Sequence, residues 1–193
     1  MEQDYCKVRM MEGNVMTVKE ALTVRFNYMM QYYAKTKEGY PQIPWNSNVD
    51  SKIYVGNKKE SGWISWKPIE KDIKEDFLEI EKELGVQIHE DIKEYYNSFW
   101  FLSLTVPING HNYIMKNVAP GREFFGLLRQ WKECKNYFKD DLYLILGQES
   151  NGGYDLMINN NNGKIYSFSH SKNKLELLAD NLADFLLTPL KKR

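Results

Sequence analysis

Hydrophobic positions along this chain follow two spacings, and the point where one gives way to the other divides it. Val18, Leu22, Arg25, Met29 and Tyr33 share a stripe at intervals of three and four, which predicts a helix. Thr17 can cap it, with Glu20 at capping-box distance, and Gly39 and Pro41 should stop it after about Lys37. Residues 41–55, with two prolines and the polar run Asn46-Ser47-Asn48, read as an irregular connection. Residues 63–66, Trp-Ile-Ser-Trp, predict a short strand ended by Pro68. Ile73, Phe77, Ile80 and Leu84 make the seam of a second helix that stops at Gly85. A third helix turns Ile92, Tyr95, Tyr96 and Phe99 inward.

From Trp100 the spacing shortens toward that of strands. Phe101, Leu102, Leu104 and Val106 lead to a tight hairpin at Asn109-Gly110, with a partner strand over residues 111–115. Gly121 precedes an amphipathic helix with Phe125, Leu128, Trp131 and Phe138 near one face. Residues 142–146 predict a strand. Tyr154, Leu156 and Ile158 alternate with Asp155, Met157 and Asn159, as in a half-buried strand. Residues 159–163, four asparagines and a glycine, form a turn before a strand carrying Ile165, Tyr166 and Phe168. Asn173 and Glu176 resemble a capping box, and Leu175, Leu178, Leu182 and Phe185 seam a final helix ending at Pro189. Helices that precede and bracket hairpin-joined strands argue for an α+β fold. Its sheet is mixed and mainly antiparallel, with helices packed around it.

The 193 residues suit one domain: a polar lead-in over residues 1–16 and a domain over 17–193. Apolar residues are 42% and aromatic residues 14%, enough for a core without a disulfide or metal staple. Lys+Arg and Asp+Glu are both 26, so nothing shows the basic excess of a nucleic-acid binder. Cys6 and Cys134 belong to no C-x-x-C pair, which suits a reducing, cytoplasmic location. The N-terminal residues lack a signal-peptide run, and no segment reaches the ~20 apolar residues of a membrane span.

Candidate chemistry is sparse. His89, His111 and His170 lie in separate predicted elements, without the paired spacing of metal ligands. A small hydrolase built around His111 or His170 would still need a partnered nucleophile. Cys134, between Glu133 and Lys135 on a predicted helix, reads as a structural thiol. Phosphate-binding and nucleophile-elbow motifs are absent, so no catalytic residue, cofactor or metal is expected. Trp63 and Trp66 are an odd number of positions apart and should point to opposite faces of a strand. Either one ring is exposed as a partner anchor, or helices cover both.

Several stretches together resemble a known family. They are the helix over residues 19–33, the connection through Pro44-Trp45, and Trp63-Ile-Ser-Trp66-Lys67-Pro68. To these add the helix, break and helix from Phe77 to Tyr96, and the C-terminal pattern of Gly163-Lys-Ile-Tyr166 followed by residues 178–186. Their order is similar to that of the Syd family of SecY-interacting proteins, within the SMI1/KNR4-type (SUKH) superfamily. The resemblance implies a non-enzymatic protein-binding domain. Its partner would be SecY, met at the cytoplasmic face of the membrane through a concave acidic surface, or else a toxin neutralised by an immunity protein. The balanced charge makes no acidic face by itself. Glu79, Glu81, Glu149, Asp155 and Asp180 are the candidates to form one, with Trp63 and Trp66 as candidate anchors.

Overall fold

A computed structural model describes residues 16–122, 124, 126–138 and 141–188. The lead-in with Cys6, the Phe125 position and the terminus from Pro189 lie outside them. The first helix, α1 (Val18–Tyr33), has the expected capping box: Glu20 N–H donates to the Thr17 hydroxyl, and the Glu20 carboxylate accepts from Thr17 N–H. It ends at Tyr33, four residues early, where turns take over before Gly39. The connection after it is more ordered than its composition suggests. It supplies β1 (Gln42–Pro44), a 3₁₀ turn (Ser51–Ile53) and β2 (Tyr54–Val55), which flank β3 (Trp63–Trp66) as a three-stranded antiparallel sheet.

Next, β4 (Ile69–Glu70) pairs with β5 (Phe99–Trp100), so the strand after the third helix begins earlier than expected. Between these strands lie α2 (Leu78–Leu84), ended by Gly85, and α3 (Glu90–Ser98). Helix α2 begins five residues after Ile73. That side chain is 63% exposed and forms no part of a seam.

The main sheet has six antiparallel strands, each lying beside its neighbours in chain order. Strands β6 (Thr105–Ile108) and β7 (His111–Met115) join at Asn109 (φ 50) and Gly110 (φ 86). Two successive positive φ values are what a tight two-residue hairpin requires. Helix α4 (Leu127–Tyr137) leads to β8 (Tyr143–Glu149), β9 (Tyr154–Asn159), β10 (Ile165–Ser169) and β11 (Lys174–Ala179). Strand β9 is more deeply covered than half-buried, because Met157 and Asn159 are buried along with Leu156 and Ile158.

The final helix, α5 (Leu182–Leu186), is far shorter than the pattern predicts. Residues 174–179, expected to be its first turns, are instead strand, paired with β10 from Ser169↔Lys174 to Ile165↔Ala179. Asn173 is a turn residue with φ 46, and Asn181 is the true cap, accepting from Asp184 N–H. Cross-strand pairing has overridden the helix propensity of Lys-Leu-Glu-Leu-Leu-Ala.

One core runs through all these elements. Phe26 of α1 meets Phe99 edge-on at 5.2 Å, and Tyr96 of α3 meets Trp131 of α4 at 6.1 Å. Trp66, Tyr95, Tyr96, Phe101, Tyr113 and Trp131 are all fully buried. Burying side chains of this size contributes about 1.5–3 kcal/mol each.

Candidate protein-binding surface

The sequence-expected positions scatter. Trp63 and Trp66 do point to opposite faces of β3. Trp63 is 44% exposed, whereas Trp66 is 1% exposed in the core and has no surface to offer a partner. Glu149 is withdrawn for the same reason, since its residue is 6% exposed. One Glu149 oxygen lies 2.5 Å from His111 Nδ1, and the other accepts the Gly153 N–H at 3.3 Å across the β8–β9 turn. Asp155 is partly exposed and sits 2.7 Å from His170 Nε2. Because Gln148 pairs with Asp155, alternation sends Glu149 and Asp155 to opposite faces of the sheet. They cannot contribute to one acidic face.

The two carboxylate–imidazole pairs therefore do not converge either. Among the described residues, no group of three or more His, Cys, Asp or Glu could hold a metal. Cys134 is half-buried, and burial pushes its thiol up to about 11, so it stays protonated at neutral pH. His89 caps α3, accepting the Asp91 N–H on Nδ1 at 3.2 Å.

Glu81 is half-buried and occupied within the fold. Its carboxylate accepts the Ile88 N–H at 2.9 Å and the Lys93 ammonium at 2.9 Å, and these hold its pKa below the ordinary range. Of the five expected acids two stand exposed, Asp180, which lies 3.2 Å from Lys164, and Glu79. Glu79 belongs to a stretch that helical periodicity concealed. Residues 70–79 hold five carboxylates (Glu70, Asp72, Glu75, Asp76, Glu79) against two lysines. Lys71 is turned inward, its Nζ 3.3 Å from the Tyr96 carbonyl and 3.3 Å from Glu75. Two large apolar side chains project from this acidic stretch, Ile73 at 63% and Leu78 at 66% exposure.

Several local contacts build this ridge. Lys71 N–H donates to Ser98 O, and Asn97 holds both backbone groups of Glu75, so residues 71–75 lie along α3 in a non-helical path. The Asp76 carboxylate then accepts the Leu78 N–H at 2.8 Å and starts α2 there. Phe77 turns into the core, and Leu78, next to it, is left outside. Glu70 pairs with Lys19 and Lys74 is exposed beside Ile73, so the ridge is acidic on balance rather than of one sign. Exposed apolar groups rimmed by polar residues are a common form of protein-docking surface.

A family model described as Syd protein (SUKH-2) matches residues 19–120, just over half of the chain, and the SMI1 / KNR4 family (SUKH-1) model matches residues 74–188. The chain belongs to the Syd family of SUKH proteins. Protein Syd of Shewanella frigidimarina (strain NCIMB 400) is 24% identical over 184 residues, covering 91% of this chain and 84% of that protein. The two family matches overlap on residues 74–120, which hold most of the acidic ridge, α2, α3 and the β6–β7 hairpin of this Syd-family chain. Among its described residues no helix is long and apolar enough to cross a membrane.

Proposed function

We propose that this chain is a non-catalytic protein-binding module that docks on the SecY translocon at the cytoplasmic face of the membrane. The observation that carries this reading is the ridge at residues 70–79. Its carboxylates would meet the basic groups of a cytoplasmic loop, while Ile73 and Leu78 would bury apolar area against it. Trp63, exposed on another element, is the second anchor to test. Membership of the Syd family supports SecY as the partner.

The test is binding to detergent-solubilised SecY at two salt concentrations. Exposed charge pairs are screened over ~8 Å in physiological salt, so affinity should fall as salt rises. Reversing Asp72, Asp76 and Glu79 together to lysine should weaken binding by about tenfold or more, and so should Ile73→Ser with Leu78→Ser. No binding at low salt would sink the proposal. A second reading, toxin neutralisation by an immunity protein, would use the same ridge against a basic toxin surface. The match to the SMI1 / KNR4 family over residues 74–188 supports keeping it. A toxin encoded beside this protein, and inhibited by it, would decide for that reading.

A further inference from the structure

Asparagine is followed by glycine at Asn109-Gly110, Asn151-Gly152 and Asn162-Gly163. Such a pair can modify itself. The glycine backbone nitrogen attacks the carbonyl carbon of the asparagine side chain, and a residue without Cβ leaves that approach unhindered. Whether this happens in the folded chain depends on what already holds the two groups.

Two of the pairs are engaged. Gly163 is buried and its N–H donates to Asn159 O at 2.9 Å, while Asn162 Oδ1 accepts the Lys164 N–H at 3.0 Å. The Gly152 N–H donates to Glu149 O at 2.9 Å within the β8–β9 turn. A nitrogen committed to a hydrogen bond must give it up, and distort the turn, before it can attack.

Asn109 and Gly110 are placed differently. They are the two central residues of the β6–β7 hairpin, and both are exposed at its tip. The pair Ile108↔His111 closes the ladder beneath them, so the hydrogen bonds of the turn belong to those flanking residues. Among the described residues, neither the Gly110 N–H nor the Asn109 carboxamide has a hydrogen-bond partner. The nucleophile and the carbon it attacks are therefore both free.

We propose that Asn109 is a site of spontaneous deamidation, with water as the co-reactant. The Gly110 nitrogen loses its proton and bonds to Cγ of Asn109. The Cγ–Nδ2 bond breaks, and ammonia leaves with that proton. Water then opens the resulting five-membered imide at either carbonyl. Cleaving the new N–Cγ bond gives aspartate, whereas cleaving the original main-chain bond gives isoaspartate. Either product places a negative charge at the hairpin tip, two residues from His111. Aspartate accepts the positive φ of this position as asparagine does. Isoaspartate adds a methylene to the main chain, which a two-residue turn cannot absorb without loosening the Ile108↔His111 pair. The proposal involves no residue of the docking ridge and does not depend on its partner.

The test is to incubate the full chain in mildly alkaline buffer, with and without denaturing urea, and to follow the three Asn-Gly peptides by mass. In the native chain the Asn109 peptide should convert from amide to acid about fivefold or more faster than those of Asn151 and Asn162. In urea the three rates should converge, because no folded hydrogen bond then distinguishes them. Asn109→Ser should remove the fast event and leave the other two unchanged. Equal rates in the native chain, a faster event at Asn151 or Asn162, or no conversion at Asn109 while the urea sample converts, would overturn the proposal.

Discussion

Asn97 receives the Glu75 N–H on its Oδ1 at 2.7 Å and returns its Nδ2 to the carbonyl of the same residue at 3.2 Å. One amide side chain thereby satisfies both backbone groups of a residue 22 positions earlier. This clip keeps residues 71–75 out of α2 and presents Ile73 to solvent. Asn97→Ala leaves a part-buried donor and acceptor unpaired, and should destabilise the chain by about 1–3 kcal/mol in urea unfolding. Asn97→Asp keeps the acceptor and loses the donor, so its cost should be smaller. If both variants match the parent in urea midpoint, the clip does not hold the segment.

Glu81 gives the fold an acid-sensitive joint between α2 and α3. The Ile88 N–H is the largest cause of its lowered pKa, with Lys93 adding to it. A carboxylate whose folded pKa lies below its unfolded value, about 4.3, contributes stability above that value. The contribution is lost as pH falls through the folded pKa. Stability should therefore hold from neutral pH down to about 5 and decline below the unfolded value. Glu81→Gln keeps an acceptor for Ile88 but has no charge to protonate, so urea midpoints measured against pH should fall less steeply in acid. Since a backbone hydrogen bond leads, ~0.5 M salt should change this slope little.

Arg25 was legible as part of the α1 stripe, yet its role there is polar. It is 6% exposed, and its guanidinium donates to Leu186 O through Nε and to Thr188 O through Nη2, the latter at 2.6 Å. Burial lowers its pKa to about 10, which leaves it charged at neutral pH. The contact fastens the C-terminal end of α5 to the first helix. Arg25→Met should cost about 1.5–3 kcal/mol, as expected for hydrogen bonds to a charged donor. Hydrogen exchange should accelerate first in residues 182–188, and a uniform increase across all helices would count against a local tether.

Local signals carried well from sequence to structure. The Thr17–Glu20 capping box, the Asn109-Gly110 hairpin and the Gly85 stop each depend on residues adjacent in the chain. Signals that depend on distant partners did not carry. Residues 174–179 have a helix-forming composition, and only the ladder to β10 makes them strand. Residues 41–55 read as a loop because β1 and β2 gain their hydrogen bonds from β3 alone. Trp63 and Glu79 are exposed, as a partner-binding role requires, whereas Glu149 and Trp66 are buried, because burial is set by the tertiary fold. Leu78 could have been found: it adjoins Phe77 and falls off the Ile73–Phe77–Ile80–Leu84 seam, so the two neighbours cannot share a face.

The asparagine turn after β9 is also a docking element, and this gives the sharpest test of the α3 entrance. Asn160 accepts the His89 N–H on Oδ1 at 2.9 Å and donates Nδ2 to Gln87 O at 2.8 Å, joining the turn to the residues before α3. Gly163 closes the turn with φ +72, and a Cβ there would meet the His89 ring at 2.7 Å. Gly163→Ala thus incurs two penalties, left-handed backbone strain of about 1–2 kcal/mol and a collision with the imidazole. His89→Ala alone removes the cap acceptor of α3, at about 0.5–2 kcal/mol. Combining them should cost less than the two separately, since the second change clears the ring that the first would strike. The strain of the positive φ should persist in the double variant. Strict additivity in urea unfolding would show that His89 moves aside freely and does not pack this turn against the helix.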